Sequence, residues 1–154
     1  MNRNSVVFCL LLGLFSITTG VFAAESAWLT DFAEAKKLAA ERKVPILADF
    51  SRSDRCCWCR RLDREIFAEK AFQEYAKENL VLFMADFPRR KQQPEHLVSQ
   101  NKLLKKKYKV RGYPTVLVLD SEGREVARTG YRRGGPAAYV KHIQGLLESR
   151  CLAK

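Results

Sequence analysis

The stretch Cys56-Cys57-Trp58-Cys59 lies at a seam between two hydrophobic patterns. Ahead of it, Pro45-Ile46-Leu47-Ala48-Asp49-Phe50 is a near-continuous apolar run of strand length, the mark of a buried central strand. The basic, polar stretch Ser51 to Arg55 follows, and Arg60 to Phe67 has the pattern of a helix. A Cys-x-x-Cys pair thus falls where a strand ends and a helix begins. At a helix start, unpaired backbone N–H groups and the macrodipole favour an anion. A thiolate is an anion, so Cys56 is expected to be an acidic, nucleophilic thiol. Cys59, one helical turn on, is close enough to close a disulfide with it. This is the pattern of a dithiol that cycles between oxidised and reduced forms.

Two other uses of a Cys-x-x-Cys pair compete with that reading. A zinc site wants four ligands, and no second Cys-x-x-Cys exists; His96 and His142 lack a ligand-like spacing. A purely structural disulfide across so short a loop removes little unfolded-state entropy. The expectation is therefore redox chemistry, with no metal and no cofactor beyond the Cys56–Cys59 couple itself.

Residues 1–23 have the form of a secretory signal. Arg3 gives a positive start, Val6 to Ile17 is apolar, and Val21-Phe22-Ala23 is a small-x-small cleavage pattern. The apolar stretch is short for a membrane span, which leaves a retained anchor as the alternative. Residues 24–154 are enough for one domain with a real core, and the product is expected to be periplasmic or secreted. The formal net charge is +11. Such basicity suits nucleic acid, membrane surfaces or acidic partners, and export argues against nucleic acid. Lys105-Lys106-Lys107 reads as a solvated helix face, with Leu103, Leu104 and Tyr108 turned inward.

The remaining pattern is regular. A helix is expected over Trp28 to Arg42 with Thr30 as its N-cap, then strands over Ile46 to Phe50 and Leu80 to Phe87. A helix from Ala71 to Asn79 separates these strands, and Pro94 opens another that runs to about Tyr108. Val116 to Leu119 and Glu125 to Gly130 form a hairpin about Ser121-Glu122-Gly123, and Pro136 opens the last helix. A helical crossover makes the first two strands parallel, and the hairpin is antiparallel.

The strand ending Leu47-Ala48-Asp49-Phe50, the cysteine pair, Gly112-Tyr113-Pro114-Thr115 and the following hairpin together resemble the thioredoxin superfamily. Within its secreted branch, the Cys-x-Trp-Cys centre resembles the DsbH type of periplasmic oxidoreductase. The resemblance implies an α/β thioredoxin fold, a central four-stranded mixed sheet flanked by helices. It implies that Cys56 attacks and Cys59 resolves, and that Pro114 is a cis-proline facing them. Tyr113, Pro114 and Trp58 would contact substrate, and Asp49 would be the buried acid that helps deprotonate Cys59.

Several positions depart from the family pattern. Cys57-Trp58 is neither the Gly-Pro of thioredoxin nor the Pro-His of strong oxidants. Asp49 stands one residue further from the first cysteine than in thioredoxin. Arg55 replaces a usual tryptophan, and its charge would favour a Cys56 thiolate. Cys57 is expected to pack as a small residue, the alternative being a third exchanging thiol; Cys151 is expected to be unpaired. The Trp58 centre and the resemblance together imply a monomeric, exported disulfide reductase, with disulfide-bearing peptides or proteins as substrates and a membrane electron donor as partner. The competing class is a Cu(I)-binding module built on the three clustered cysteines; Met1 and Met84 are the only methionines to support it.

Overall fold

A computed structural model describes residues 28–151. The expected signal segment lies outside the described residues, as does the side chain of Cys151. Five helices and four strands follow in order: α1 Phe32–Arg42, β1 Ile46–Ser51, α2 Cys57–Leu62, α3 Lys70–Asn79, β2 Val81–Asp86, α4 Glu95–Lys107, β3 Thr115–Leu119, β4 Glu125–Thr129 and α5 Gly135–Cys151. The sheet order is β2-β1-β3-β4. β1 runs parallel to β2 and antiparallel to β3, and β3 and β4 form the hairpin. This is the expected four-stranded mixed sheet of a thioredoxin fold.

β1 is central because all six of its residues are buried. Its side chains alternate between two cores, as strand geometry requires. Ile46, Ala48 and Phe50 join Phe32 and Ala35 of α1 and Leu104 of α4 on one face. Leu47 joins Leu62, Phe67, Phe72 and Tyr139 on the other, under α2, α3 and α5. Asp49 and Ser51 share the parity of Leu47, so the sheet points them toward the α2 face.

Local details differ from the sequence expectation. Asp31, not Thr30, caps α1: its Oδ1 accepts from Ala33 N at 2.7 Å and Glu34 N at 2.9 Å. Both residues are good caps, but Leu29 is held in a parallel bridge with Phe83, which keeps the chain extended one residue longer. Leu103 is 70% exposed rather than turned inward. The expected helix from Arg60 to Phe67 is α-helical only to Leu62 and continues as a π-helical segment, Asp63–Phe67. That wider turn buries both Ile66 and Phe67.

Candidate active site

Cys56 is the N-cap of α2, with φ −91° and ψ 108°. It is bonded to Cys59, with Cα atoms 5.2 Å apart. Its sulfur also accepts from the Cys59 backbone N–H at 3.1 Å. Cys56 is half-buried, whereas Cys59 is only 4% exposed. The sequence expectation for Cys57 needs correction. It is a free, exposed thiol and not a packing residue, because the first turn of α2 turns Cys59 and Leu62 inward and Cys57 outward.

Hydrogen bonds from distant loops hold the segment that carries Cys56. The amide of Cys56 donates to Arg52 O at 3.0 Å. Asp86, at the end of β2, accepts from Ser53 N at 2.9 Å and Ser53 Oγ at 2.6 Å. Asp54 Oδ2 accepts from Arg90 N at 2.7 Å and Arg89 N at 2.8 Å. The Arg90 amide is the chief cause that holds the Asp54 carboxyl below the usual range. These bonds tie the cysteine loop to the loop after β2.

The Tyr113–Pro114 peptide bond is cis. The Tyr113 carbonyl oxygen lies 3.5 Å from the Cys56 sulfur, and Thr115 Oγ1 closes the turn by donating to Gly112 O at 2.8 Å. The Tyr113 ring packs 5.2 Å from that of Phe87. The Arg52 guanidinium stands 4.8 Å and the Lys105 ammonium 5.2 Å from the Tyr113 ring centroid, within cation–π range. Lys105 is therefore docked on aromatic rings rather than on a fully solvated face.

Trp58 is 45% exposed beside the disulfide. Its ring lies 5.3 Å from that of Tyr131, and the Arg61 guanidinium stands over both. Arg61 Nε donates to Glu65 Oε1 at 2.7 Å, and the Tyr131 hydroxyl donates to Glu65 Oε2 at 2.6 Å. The Tyr131 bond is the main cause that lowers the Glu65 pKa. Sequence reasoning missed this buttress. Only the i,i+4 spacing of Arg61 and Glu65 signalled any of it.

Asp49 is buried, at 3% exposure, and its Oδ1 has no hydrogen-bond partner among the described residues. Burial pushes its pKa up to about 7, opposed by a hydrogen bond from Ser51. Arg55 is exposed at the rim of a hollow that also contains Cys56. The structure thus brings Cys56, Cys59, Tyr113, Pro114 and Arg55 to one end of the sheet, with Trp58 on the flank of Cys56. Asp49 lies beneath, on the α2 side. Among the described residues, no group of three or more His, Cys, Asp and Glu is arranged to hold a metal ion.

Comparison with known proteins gives consistent matches. A thioredoxin-like domain matches residues 32–143. The disulfide bond reductase DsbH of Chlamydia pneumoniae is 35% identical over 133 residues, covering 86% of this chain and 80% of that protein. The thioredoxin-related protein DsbJ of the same organism is 29% identical over 136 residues, but the chain spans only 38% of its length. A solved DsbH oxidoreductase superposes with a TM-score of 0.77 at 34% identity, over 87% of this chain and 92% of that one. The oxidised C-terminal domain of Neisseria meningitidis DsbD, at 16% identity and a TM-score of 0.55, shares the fold.

Proposed function

The chain belongs to the thioredoxin-like family, and we infer that it is a DsbH-like thiol–disulfide oxidoreductase that reduces substrate disulfides. The observation that carries this is the half-buried Cys56 paired with buried Cys59, its sulfur beside the carbonyl that precedes a cis-proline.

In the reduced protein, the Cys56 thiolate attacks one sulfur of a substrate disulfide. A Cys56–substrate disulfide forms, and the other substrate sulfur leaves as a thiolate and takes a proton from water. Cys59 gives its proton to Asp49 and attacks the Cys56 sulfur, expelling the second substrate thiolate. Two electrons pass to the substrate, and the protein is left with the Cys56–Cys59 disulfide. An acid with a pKa near 7 is suited to accept that proton at neutral pH. The backbone at Tyr113 and the exposed face of Trp58 are the surfaces an extended substrate would meet. A dithiol donor must restore the reduced form. We assign that role to a membrane electron donor and the activity to an exported, monomeric protein.

The three-cysteine Cu(I) alternative is not supported by the arrangement, in which Cys56 is bonded to Cys59 and Cys57 is free and exposed. Reduction of insulin by dithiothreitol, with and without metal-free protein, tests the function. Acceleration by catalytic amounts of protein is expected. No acceleration, together with tight Cu(I) uptake, would overturn the reading.

A further inference from the structure

The surroundings of Cys56 are strongly one-signed. The sulfur opens into a hollow of about 560 Å³ whose lining includes Arg52, Arg55, Arg89, Lys105 and Arg111. The same lining contains no carboxylate. These five cations come from three separate parts of the chain: the cysteine loop, the loop after β2, and α4 with the turn that follows it. The fold has therefore gathered them, and no local charge run has.

Among the described residues, none of the five forms a salt bridge. Asp86 is committed to Ser53 and Asp54 to the Arg89 and Arg90 amides, so that of the five cations only Arg55 feels a carboxylate, that of Asp54, and without an ion pair. Two of the cations are positioned rather than free to swing away: Arg52 and Lys105 both stand on the Tyr113 ring. The Nε of Arg52 is buried without a hydrogen-bond partner among the described residues. Two adjoining hollows extend the basic surface. One shares Arg52 and Arg89 with the first and adds Lys91 beside the Ser53-bound Asp86, the other shares Lys105 and Arg111, and both reach Lys102.

Like charges held together without ion pairs repel one another. The arrangement costs least when an anion lies among them. Resting on the reductase reading above, we propose that this hollow docks an acidic polypeptide segment, so that the preferred substrates carry Asp or Glu beside the disulfide that Cys56 attacks. The cations converge on the reacting sulfur and flank the backbone at Tyr113. A ligand laid along them thus presents its own disulfide to Cys56. A flat lipid surface resting on the same cations would cover the thiol instead, which makes a membrane the less fitting occupant. Complementary charge of this kind raises encounter rates and sets partner choice, and it weakens with salt.

The test uses three synthetic peptides of equal length, each with one internal disulfide. The residues flanking its cysteines are Glu and Asp, Gln and Ser, or Lys. We expect kcat/KM to fall in that order, with the acidic peptide ahead of the neutral one by about tenfold at 50 mM salt and about twofold at 500 mM. In the variant carrying Arg89→Gln and Arg111→Gln, the acidic-to-neutral ratio should drop below about threefold at low salt. A change in the acidity of Cys56 would move all three peptides together, so the ratio isolates docking. Equal rates for the three peptides at low salt, or a ratio untouched by the double substitution, would overturn the proposal. So would tight binding to phosphatidylglycerol vesicles without any charge preference among the peptides, which would assign the face to membrane. If no peptide is reduced, the reductase reading falls. Anisotropy titration of the acidic against the neutral peptide then decides the docking proposal by itself.

Discussion

The sulfur of Cys56 lies 3.5 Å from the carbonyl oxygen of Tyr113, the residue before cis-Pro114, while its partner Cys59 is buried. Only one sulfur of the pair is therefore open to a substrate. Cys59→Ser should accumulate mixed disulfides on non-reducing gels, because the attacking thiol remains and the resolving thiol is gone. Cys56→Ser should accumulate few. Adducts found mainly with Cys56→Ser would reverse the roles, and adducts that persist when both are replaced would implicate the exposed Cys57.

Asp49 yields a pH prediction. Its carboxyl loses its proton near 3.8 in the ordinary state but near 7 when buried in the fold. Between those values the folded protein holds more protons than the unfolded chain, so this group makes stability fall as pH rises. The penalty is absent below the lower value and complete above the upper, on the order of 4 kcal/mol. Asp49→Asn should therefore be more stable than the parent at pH 8, with the gap closing toward pH 4, in denaturant unfolding at both pH values. An Asn variant less stable at pH 8 would mean that the buried carboxylate is well solvated in the fold. The same substitution should slow resolution by Cys59 and lengthen the life of the mixed disulfide.

Asp86 fastens the cysteine loop through Ser53 N and Ser53 Oγ, and its Oδ1 also accepts from the amide of its own neighbour Phe87. Each bond is worth about 1 kcal/mol, so Asp86→Ala should cost about 2–3 kcal/mol and Ser53→Ala, which removes one bond, about 1 kcal/mol. Insulin reduction should fall with Asp86→Ala, since the Cys56 loop loses its support. Unfolding free energies within about 0.5 kcal/mol of the parent would show, on the scale of ~1 kcal/mol per bond, that the loop is held by other contacts.

Features carried by short-range pattern were legible in the sequence. The buried run Ile46–Phe50, the paired cysteines at a helix start and the turn at Gly123 each follow from local chemistry. Gly123 has φ +78°, and its missing Cβ leaves room for the Phe32 ring. Features assembled by tertiary packing were not legible. Thr30 and Asp31 are adjacent caps of similar quality, and tertiary contacts set the start of the helix: the Leu29–Phe83 bridge and Gln100, which bonds Thr30 O and Phe32 N. The orientation of Cys57 depends on which face of a six-residue helix meets the sheet. The Arg61–Glu65–Tyr131 buttress and the cations around Cys56 join residues far apart in the chain, so no window of sequence contains them.

The remaining prediction concerns the redox potential of the Cys56–Cys59 couple. A strong oxidant, near −120 mV, needs its reduced form stabilised by a very acidic attacking thiol, whereas a reductant of the thioredoxin kind lies near about −270 mV. In this chain the position before Cys59 is Trp58, whose ring is engaged by Tyr131 and Arg61 and carries no charge to aim at the sulfur. Asp49, when ionised on the α2 face, opposes a thiolate there. Against these stand the Cys59 amide, 3.1 Å from the Cys56 sulfur, and the cations Arg52 and Arg55, which all favour the thiolate. The opposed effects should leave a moderately low potential, nearer the reducing value. Equilibration with glutathione measures it directly. Raised salt should shift the couple toward the reducing end by screening Arg55. Replacing Trp58 by His should shift it toward the oxidising end. A couple measured near about −120 mV would overturn the reducing direction and leave the thiol–disulfide chemistry in place.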